Sequence, residues 1–161
     1  MHSPLGRASR QATTKIRPVT ARDAAAWLTM RCELWPDGTE PEHRQEIEQF
    51  LAGQADEPKA VLIARDASGT ATGFAELSIR SYAEGCRTRR IAYLEGWFVA
   101  SEARGRGIGR ALVESAEAWG RRQGCTEFAS DAQPDNRASI AAHRAVGFED
   151  VGLVRCFRKP L

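Results

Sequence analysis

The chain has no long apolar run and no excess of charge of one sign, and both absences exclude classes of protein. No stretch has the length of a membrane span or the apolar core of a signal peptide. Lysine and arginine number 23 against 21 aspartates and glutamates, a formal charge of +2 that is too balanced for a general binder of nucleic acid or membranes. We therefore expect no nucleic acid and no membrane as a partner, and any charge selectivity must be local.

Cysteine and histidine are also scarce. The four cysteines are widely spaced and form no C-x-x-C pair, and the three histidines form no metal-ligand cluster. We therefore predict no zinc site and no metal dependence. Scattered cysteines in a chain without a signal-like core are typical of a reducing compartment, so the expected location is the cytoplasm.

Length and composition predict one domain. A chain of 161 residues with 42% hydrophobic content suffices for a single core. Residues 1–14 are rich in Ser, Thr, Arg and Ala without hydrophobic periodicity, and we expect them to be a disordered leader or a tag remnant. The folded domain should then cover residues 15–161.

Hydrophobic periodicity predicts a mixed α/β domain in the order β-α-α-β-β-β-α-β-α-β, with helices packed on a sheet. A capping-box pattern at Thr20 and Asp23 should begin the first helix. In the strand at 91–99, the period of two places Tyr93, Glu95 and Trp97 on one face. The expected strands are 16–19, 60–64, 72–80, 91–99, 126–130 and 151–158, and the last helix is 134–146.

A loop of glycine and arginine, R-G-R-G-I-G at 104–109, is the most informative stretch. Unpaired N–H groups at a helix start, together with the helix dipole, bind a pyrophosphate, and glycines let it approach without a Cβ clash. A Walker loop would end in Gly-Lys-Ser/Thr, and a dinucleotide fingerprint needs glycine where Arg110 stands. From these residues alone, an ordinary strand-to-helix turn with solvated arginines remains the alternative.

With its flanks, the stretch 94–112 resembles the acetyl-coenzyme A motif of the GNAT acetyltransferase superfamily, Arg/Gln-x-x-Gly-x-Gly/Ala, and Asn136 matches a second conserved block eleven residues before Gly147. The resemblance implies acetyl-CoA as co-substrate and a sheet that splays between the strands ending near 99 and 130, with the thioester arm in the gap. The cofactor-binding residues that it implies are Trp97, Phe98, Val99, Arg104, Gly105, Arg106, Gly107, Ile108, Gly109, Arg110 and Asn136.

Two carboxylates on the predicted strands are candidates for amine chemistry. Glu95 lies inside an apolar strand, where a carboxylate is costly to bury unless a cation or a hydrogen-bond donor meets it. A protonated substrate amine would do so, which makes Glu95 a candidate base or ammonium anchor, and a buried pair with an arginine is the alternative. Asp131 follows the next strand, at an edge where ligands bind, and a turn residue before Pro134 is its alternative.

The resemblance narrows to the aminoglycoside 6′-N-acetyltransferases and covers most of the chain from 16 to 158. It is carried by L-W-P at 34–36, G-F-A at 73–75, S-I-R at 78–80, L-E-G at 94–96 and A-S-D at 129–131. It implies acetylation of the 6′-amine of a polycationic antibiotic by direct attack in a ternary complex, and a homodimer. The substrate-binding residues that it implies are Trp35, Tyr82, Glu95 and Asp131, with Glu95 catalytic.

Other functions remain open from the sequence. A polyamine or a protein amine is an alternative substrate, and a CoA-binding module without catalysis is an alternative from another class. Many GNAT enzymes have a tyrosine, a candidate acid for the departing thiolate, where His143 stands. A thiol with a pKa of about 8.5 can leave without such an acid, so no dedicated side-chain acid is predicted.

Overall fold

The structure, a computed structural model, describes residues 14–161, so the leader expected over 1–14 lies outside the described residues except for Thr14. One-turn 3-10 helices at Ala21–Asp23 and Ser101–Ala103 precede the first helix and follow the fourth strand. The main elements are β1 Lys15–Pro18, α1 Ala24–Leu34, α2 Glu40–Leu51, β2 Ala60–Arg65, β3 Ala71–Arg80, β4 Ile91–Val99, α3 Ile108–Arg122, β5 Glu127–Ser130 and α4 Arg137–Ala145.

The described strands form one mixed sheet in the order β1-β2-β3-β4-β5. The first four strands are antiparallel, whereas β5 is parallel to β4 because α3 returns the chain to the same end of the sheet. Pairing between β4 and β5 runs from Ile91 opposite Glu127 to Leu94 opposite Ser130, while β4 continues to Val99. Residues 95–99 of β4 therefore extend past the end of β5 and leave the expected gap.

Helices cover both faces of the sheet. On one face, α3 buries Leu112 and Val113 against β2, β3 and β4. On the other face, α1 and α2 bury Trp27 and Ile47, and the Trp27 ring meets Phe50 edge-on at 5.4 Å. The mixed α/β class with helices packed on a sheet is thus confirmed.

The capping-box prediction at the first helix is also confirmed. The Thr20 N–H and hydroxyl both donate to the Asp23 carboxylate, at 2.7 and 2.9 Å. Asp23 is fully buried and pairs with Arg17 at 2.7 Å and with Arg65 at 2.5 Å. Burial raises the pKa of Asp23, but hydrogen bonds from these arginines outweigh burial and bring it well below its ordinary value. This cluster ties β1 and β2 to the start of α1.

The last predicted strand, 151–158, is wrong, because residues 149–161 form no strand with the described sheet. After α4, Phe148 packs on Phe128 at 5.4 Å. Val151 then lies against Gly85, where an added Cβ would come within 2.7 Å of its side chain. The chain therefore leaves over the loop after β3 instead of pairing along β5. Its large apolar side chains stay exposed: Val151, Leu153, Val154, Phe157 and Leu161.

A β-bulge in β4 overturns the expected face of that strand. Glu76 of β3 is opposite Gly96, and Leu77 is opposite Leu94, so Glu95 is the extra residue. The alternation of side chains is reset at the bulge. Tyr93 packs with Ile91 under the loop after β3, whereas Trp97 packs with Leu94 on the α3 side. The period of two therefore failed because it takes no account of an inserted residue.

Candidate active site

Glu95 occupies the bulge in β4 and is bonded to two side chains of β3. Arg80 donates through Nε to Oε1 at 2.9 Å and through Nη2 to Oε2 at 2.5 Å, and the Ser78 hydroxyl also donates to Oε1. The arginine pair considered as the alternative is thus present. A carboxylate has about four acceptor positions, so one position on Oε2 remains for another donor. The Glu95 side chain is 22% exposed, which keeps that position accessible.

Arg80 also links Glu95 to the second predicted acid. Its guanidinium lies 3.5 Å from the centre of the Tyr93 ring, and the Tyr93 hydroxyl donates to Asp131 Oδ1 at 2.7 Å. Burial and this hydrogen bond raise the pKa of Tyr93, so the phenol stays neutral. Burial lowers the pKa of Arg80, but its bonds to Glu95 outweigh burial and raise it. This cluster contains two carboxylates, Glu95 and Asp131, and one guanidinium, so the excess of negative charge favours a cationic ligand.

Trp35 ends α1 and packs on β4 directly beside the bulge. A Cβ on Gly96 would come within 2.5 Å of Trp35 Cη2, so this approach requires glycine. The structure therefore brings Trp35 beside the Glu95 network. Tyr82, two positions beyond β3, is 69% exposed. Within residues 14–161, no hydrogen bond or ring contact joins Tyr82 to the other three predicted substrate residues.

The glycine-rich loop has the geometry of an anion site. Gly105 and Gly107 have φ values of +73° and +79°, and nothing lies within 4 Å of the Cβ that either would carry. Gly107 is the N-cap of α3, and the first helical bond from this turn joins Ala111 N to Gly107 O at 3.0 Å. The amides of residues 108–110 precede that bond, so they point outward at the positive end of the helix dipole. The loop thus fits a diphosphate.

The loop arginines divide into two kinds. Arg104 donates through Nε to Val99 O at 3.0 Å and fastens the loop to the end of β4. Arg110 donates to Ala145 O at 2.5 Å and fastens α3 to α4. Arg106 is exposed beside Gly105 and Gly107, and it is the loop cation best placed to face a bound anion.

Trp97, Phe98 and Val99 pair with β3 on one side only, because β5 ends before them. Phe98 is buried against Phe74, with ring centres 6.0 Å apart, so only its backbone can face the gap. Trp97 Nε1 is buried and, among the described residues, has no hydrogen-bond partner. A Cβ on Gly109 would lie 3.1 Å from the Trp97 ring. An unpaired donor and a glycine-rich helix start fit a ligand that carries amide and phosphate oxygens.

His143 of α4 stands at the fork where β4 and β5 part. Its Nε2 lies 2.9 Å from Ser130 Oγ, and its Nδ1 lies 2.8 Å from Ser139 O. The ring also meets Trp97 edge-on at 5.3 Å. Asn136 is the N-cap of this helix and accepts from Ser139 N at 3.0 Å, so the helix begins at Arg137 and not at 134. The role of Asn136 toward a cofactor stays a prediction.

Two buried charged residues near Trp35 were not among the site residues predicted from the sequence. Glu76 of β3 is 3% exposed and accepts from Trp27 Nε1 at 2.8 Å, and Arg31 of α1 lies 3.2 Å from it. Burial raises the pKa of Glu76 to about 7, although Arg31 and Trp27 act to lower it. The signal that selected Glu95, a carboxylate within an apolar strand, is equally present at Glu76.

We expect Glu76 to make the fold less stable as the pH rises from 4.5 to about 7, its ordinary and folded pKa values. Below this window both states hold the proton, and within it only the folded state does, so a rising pH favours unfolding. Above the window the full penalty persists. Relative to Glu76→Gln, wild type should lose on the order of 3 kcal/mol between pH 4.5 and 8. Urea unfolding of both proteins measures this, and parallel pH curves would contradict it.

Two kinds of feature are absent from the described residues. No described helix is both long and apolar enough to cross a membrane. Across residues 14–161, no group of three or more His, Cys, Asp or Glu side chains is arranged to hold a metal ion.

Comparisons with known proteins match this chain to acetyltransferases. The model of the "Acetyltransferase (GNAT) family" matches residues 24–148. An aminoglycoside N(6′)-acetyltransferase type 1 of Klebsiella aerogenes is 60% identical over 146 residues, which cover 91% of this chain and 96% of that protein. A protein of the same name from Stenotrophomonas maltophilia is 42% identical, covering 91% of this chain and 93% of its own.

Solved structures agree with these relatives. The aminoglycoside N-acetyltransferase AAC(6′)-Iy in complex with CoA has a TM-score of 0.86 at 36% identity, with 95% of this chain and 99% of that chain covered. The same enzyme with the bisubstrate analog CoA-S-monomethyl-acetylneamine has a TM-score of 0.85 at 37% identity, covering 93% and 100%. AAC(6′)-Ih from Acinetobacter baumannii has a TM-score of 0.84 at 38% identity, covering 92% and 99%.

Proposed function

Because the chain belongs to the GNAT acetyltransferase family, we propose that it transfers the acetyl group of acetyl-CoA to the 6′-amine of an aminoglycoside antibiotic. The observation that carries this proposal is the position of Glu95, an acid in a β-bulge where β4 extends past β5. The identity of 60% over 91% of the chain to an aminoglycoside N(6′)-acetyltransferase supports the substrate class. The activity would confer resistance on its host.

The cofactor side of the site lies between β4, α3 and α4. Bound there, acetyl-CoA supplies an activated acetyl thioester. The amides of residues 108–110 and the Arg106 side chain would hold its diphosphate, since they combine the positive end of α3 with a free cation. The backbone of residues 97–99 faces the gap and would pair with its pantetheine arm. The remaining predicted contacts, Arg104, Gly105, Gly107 and Asn136, shape the loop and the facing helix.

The substrate side is formed by acids and aromatic rings. The open position on Glu95 Oε2 would bind the ammonium form of the 6′-amine, and Glu95 would then accept its proton directly or through water. Asp131 would hold another ammonium group of the same polycation, and the ring faces of Trp35 and Tyr82 would contact the sugars. Since Glu95 adjoins the cofactor gap, the neutral amine would attack the acetyl carbon directly in a ternary complex. The N–C bond forms as the thioester C–S bond breaks, and CoA leaves as the thiolate, which takes up a proton from water.

Turnover by the purified 161-residue chain tests the function. We expect thiol release from acetyl-CoA with kanamycin- and tobramycin-like amines, and no release with an aminoglycoside that carries a hydroxyl at the 6′ position. Equal release with both would place acetylation at another amine. No release with any aminoglycoside, but release with a polyamine or a protein amine, would overturn the proposed substrate.

We also propose that the enzyme acts as a cytoplasmic homodimer. The four cysteines are all unpaired, which is typical of a reducing compartment. Segment 151–161 has exposed apolar side chains and does not pair with the described sheet of its own chain, in which β5 is an edge strand. A second copy offers the complementary surface, because each segment can pair with β5 of the other chain and cover apolar side chains.

The dimer makes a measurable prediction. The 161-residue chain should have twice the 17.7 kDa mass of one copy by light scattering, and deletion of residues 152–161 should yield monomers. A double substitution, Leu153→Lys with Phe157→Lys, should have the same effect without shortening the chain, because it places charge on the covered surface. A monomeric wild type, or a dimer that survives both changes, would contradict this arrangement.

A further inference from the structure

Arg31 joins three elements at the base of the substrate side. Its guanidinium donates through Nη2 to Glu46 of α2 at 2.6 Å, and its side chain is 9% exposed. Its Nε lies 3.2 Å from Glu76 of β3 in an ion pair without hydrogen-bond geometry. Glu76 is fixed in turn by Trp27 Nε1 at 2.8 Å. One cation of α1 is therefore held between an inner acid of the sheet and an outer acid of the second helix.

The same guanidinium lies against two indole rings. It is 5.0 Å from the centre of the Trp35 ring and 5.9 Å from that of Trp27. Trp35 is in turn pressed on Gly96, which pairs with Glu76 across the two strands. The contacts form a closed circuit from Glu76 through Arg31 and Trp35 to Gly96, next to the bulge that carries Glu95.

Stability alone gives little reason for this arrangement. A buried ion pair loses about as much in desolvation as it gains by attraction, and apolar side chains of the same volume often serve at least as well. A planar guanidinium, however, can hold two carboxylates and lie against an aromatic face in one geometry. The charged circuit thus defines the position of the Trp35 ring more closely than apolar packing would.

We propose that Arg31, held by Glu76 and Glu46, is a positioning residue that sets Trp35 as the platform for the aminoglycoside. The inference rests on the proposed function, in which Trp35 contacts the antibiotic. It assigns Arg31 an effect on substrate binding and none on proton transfer, since Glu95 has its own partners in Arg80 and Ser78. The cofactor site lies on the other side of β4 and should not respond.

Steady-state kinetics of Arg31→Met test the inference. We expect KM for the aminoglycoside to rise about tenfold, as a lost cation–π contact and a loosened ring would produce, with kcat within about twofold and CoA affinity unchanged. Arg31→Lys should recover only part of the effect, because lysine keeps the charge without the planar fork. Glu46→Gln should raise KM by about twofold. Because the Glu46 side chain is 58% exposed, we expect this variant to fold even if Arg31→Met does not.

A double-mutant cycle with Trp35→Ala separates positioning from general weakening. If Arg31 acts through Trp35, then Arg31→Met should change KM by less than about twofold in a Trp35→Ala background. Arg65→Met is the matched control, because it breaks the Asp23 cluster at the opposite end of α1 from Trp35. It should lower the unfolding midpoint without changing KM.

The outcomes distinguish the two proposals. An active wild type in which the Arg31 and Trp35 effects multiply independently overturns the positioning role alone, and so does a KM change in Arg65→Met equal to that of Arg31→Met. A wild type that neither binds nor acetylates aminoglycosides overturns the proposed function, and the inference with it. A nonadditive KM effect with CoA affinity preserved supports the inference.

Discussion

Replacing Glu95 by glutamine should lower kcat for aminoglycoside acetylation by two to four orders of magnitude, the range expected for loss of a general base. Glutamine keeps the size of the side chain and can still accept a hydrogen bond from Arg80 or Ser78. It cannot accept the proton of the amine, and its neutral amide binds an ammonium group weakly. Initial rates of thiol release at saturating acetyl-CoA measure the effect.

A suitable control for this change is Glu127→Gln. Glu127 of β5 accepts hydrogen bonds from the backbone N–H groups of Arg87 and Thr88 at 2.7 to 3.1 Å, so its carboxylate is occupied in tying down a loop. Its kcat should stay within about twofold of wild type. CoA affinity should be unchanged in both variants. A Glu95→Gln enzyme within tenfold of wild type would show that the proton leaves by another route.

Replacing Gly107 by alanine should weaken CoA binding by about a hundredfold. Its φ of +79° is unfavourable for any side chain, so the turn would relax and move the amides of residues 108–110 out of line. Each charge-assisted hydrogen bond to a phosphate contributes about 1.5–3 kcal/mol, so losing one or two of them accounts for a factor of this size. Calorimetry with CoA measures the change directly.

Gly124 supplies the matched control. It has a φ of +78° at the other end of α3, and its hypothetical Cβ also meets nothing within 4 Å. Gly124→Ala therefore introduces the same backbone strain at a position remote from the loop. Both variants should lose about 1–2 kcal/mol of stability, and only Gly107→Ala should lose CoA affinity. Equal CoA affinity in the two variants would show that the loop does not bind the cofactor.

The element order up to α4 could be predicted from sequence because its signals are local. Thr20 and Asp23, three residues apart, indicate the start of a helix, and Gly107 lies at the turn where α3 begins. The strand expected at 151–158 failed for the opposite reason. Its alternating pattern indicates that one face of the segment is buried. The surface that buries this face is distant in sequence, so the pattern does not predict which strand, or which chain, the segment pairs with.

The candidate site could be proposed from sequence where a residue type alone indicates chemistry. Glu95 and the glycine loop were selected because an acid within an apolar strand and a glycine-rich helix start each have few explanations, and their roles stay predictions. Arg80 could not be assigned, because pairing across β3 and β4 depends on a bulge that shifts the register by one residue. Glu76 carries the same signal as Glu95, but only the packing of Arg31 and Trp27 shows that Glu76 is enclosed by α1 and not accessible to a ligand.

The fourth helix has a consequence for the order in which the domain opens. None of the nine residues of α4 is fully buried, and its attachments are a few contacts through Ser130, Trp97 and the Ala145 carbonyl. Segments with so little buried apolar area have the lowest opening free energies in a native protein. We therefore expect α4 to detach while the sheet stays folded, so that in the proposed site a long cofactor would enter and leave by a local fluctuation and not a global one.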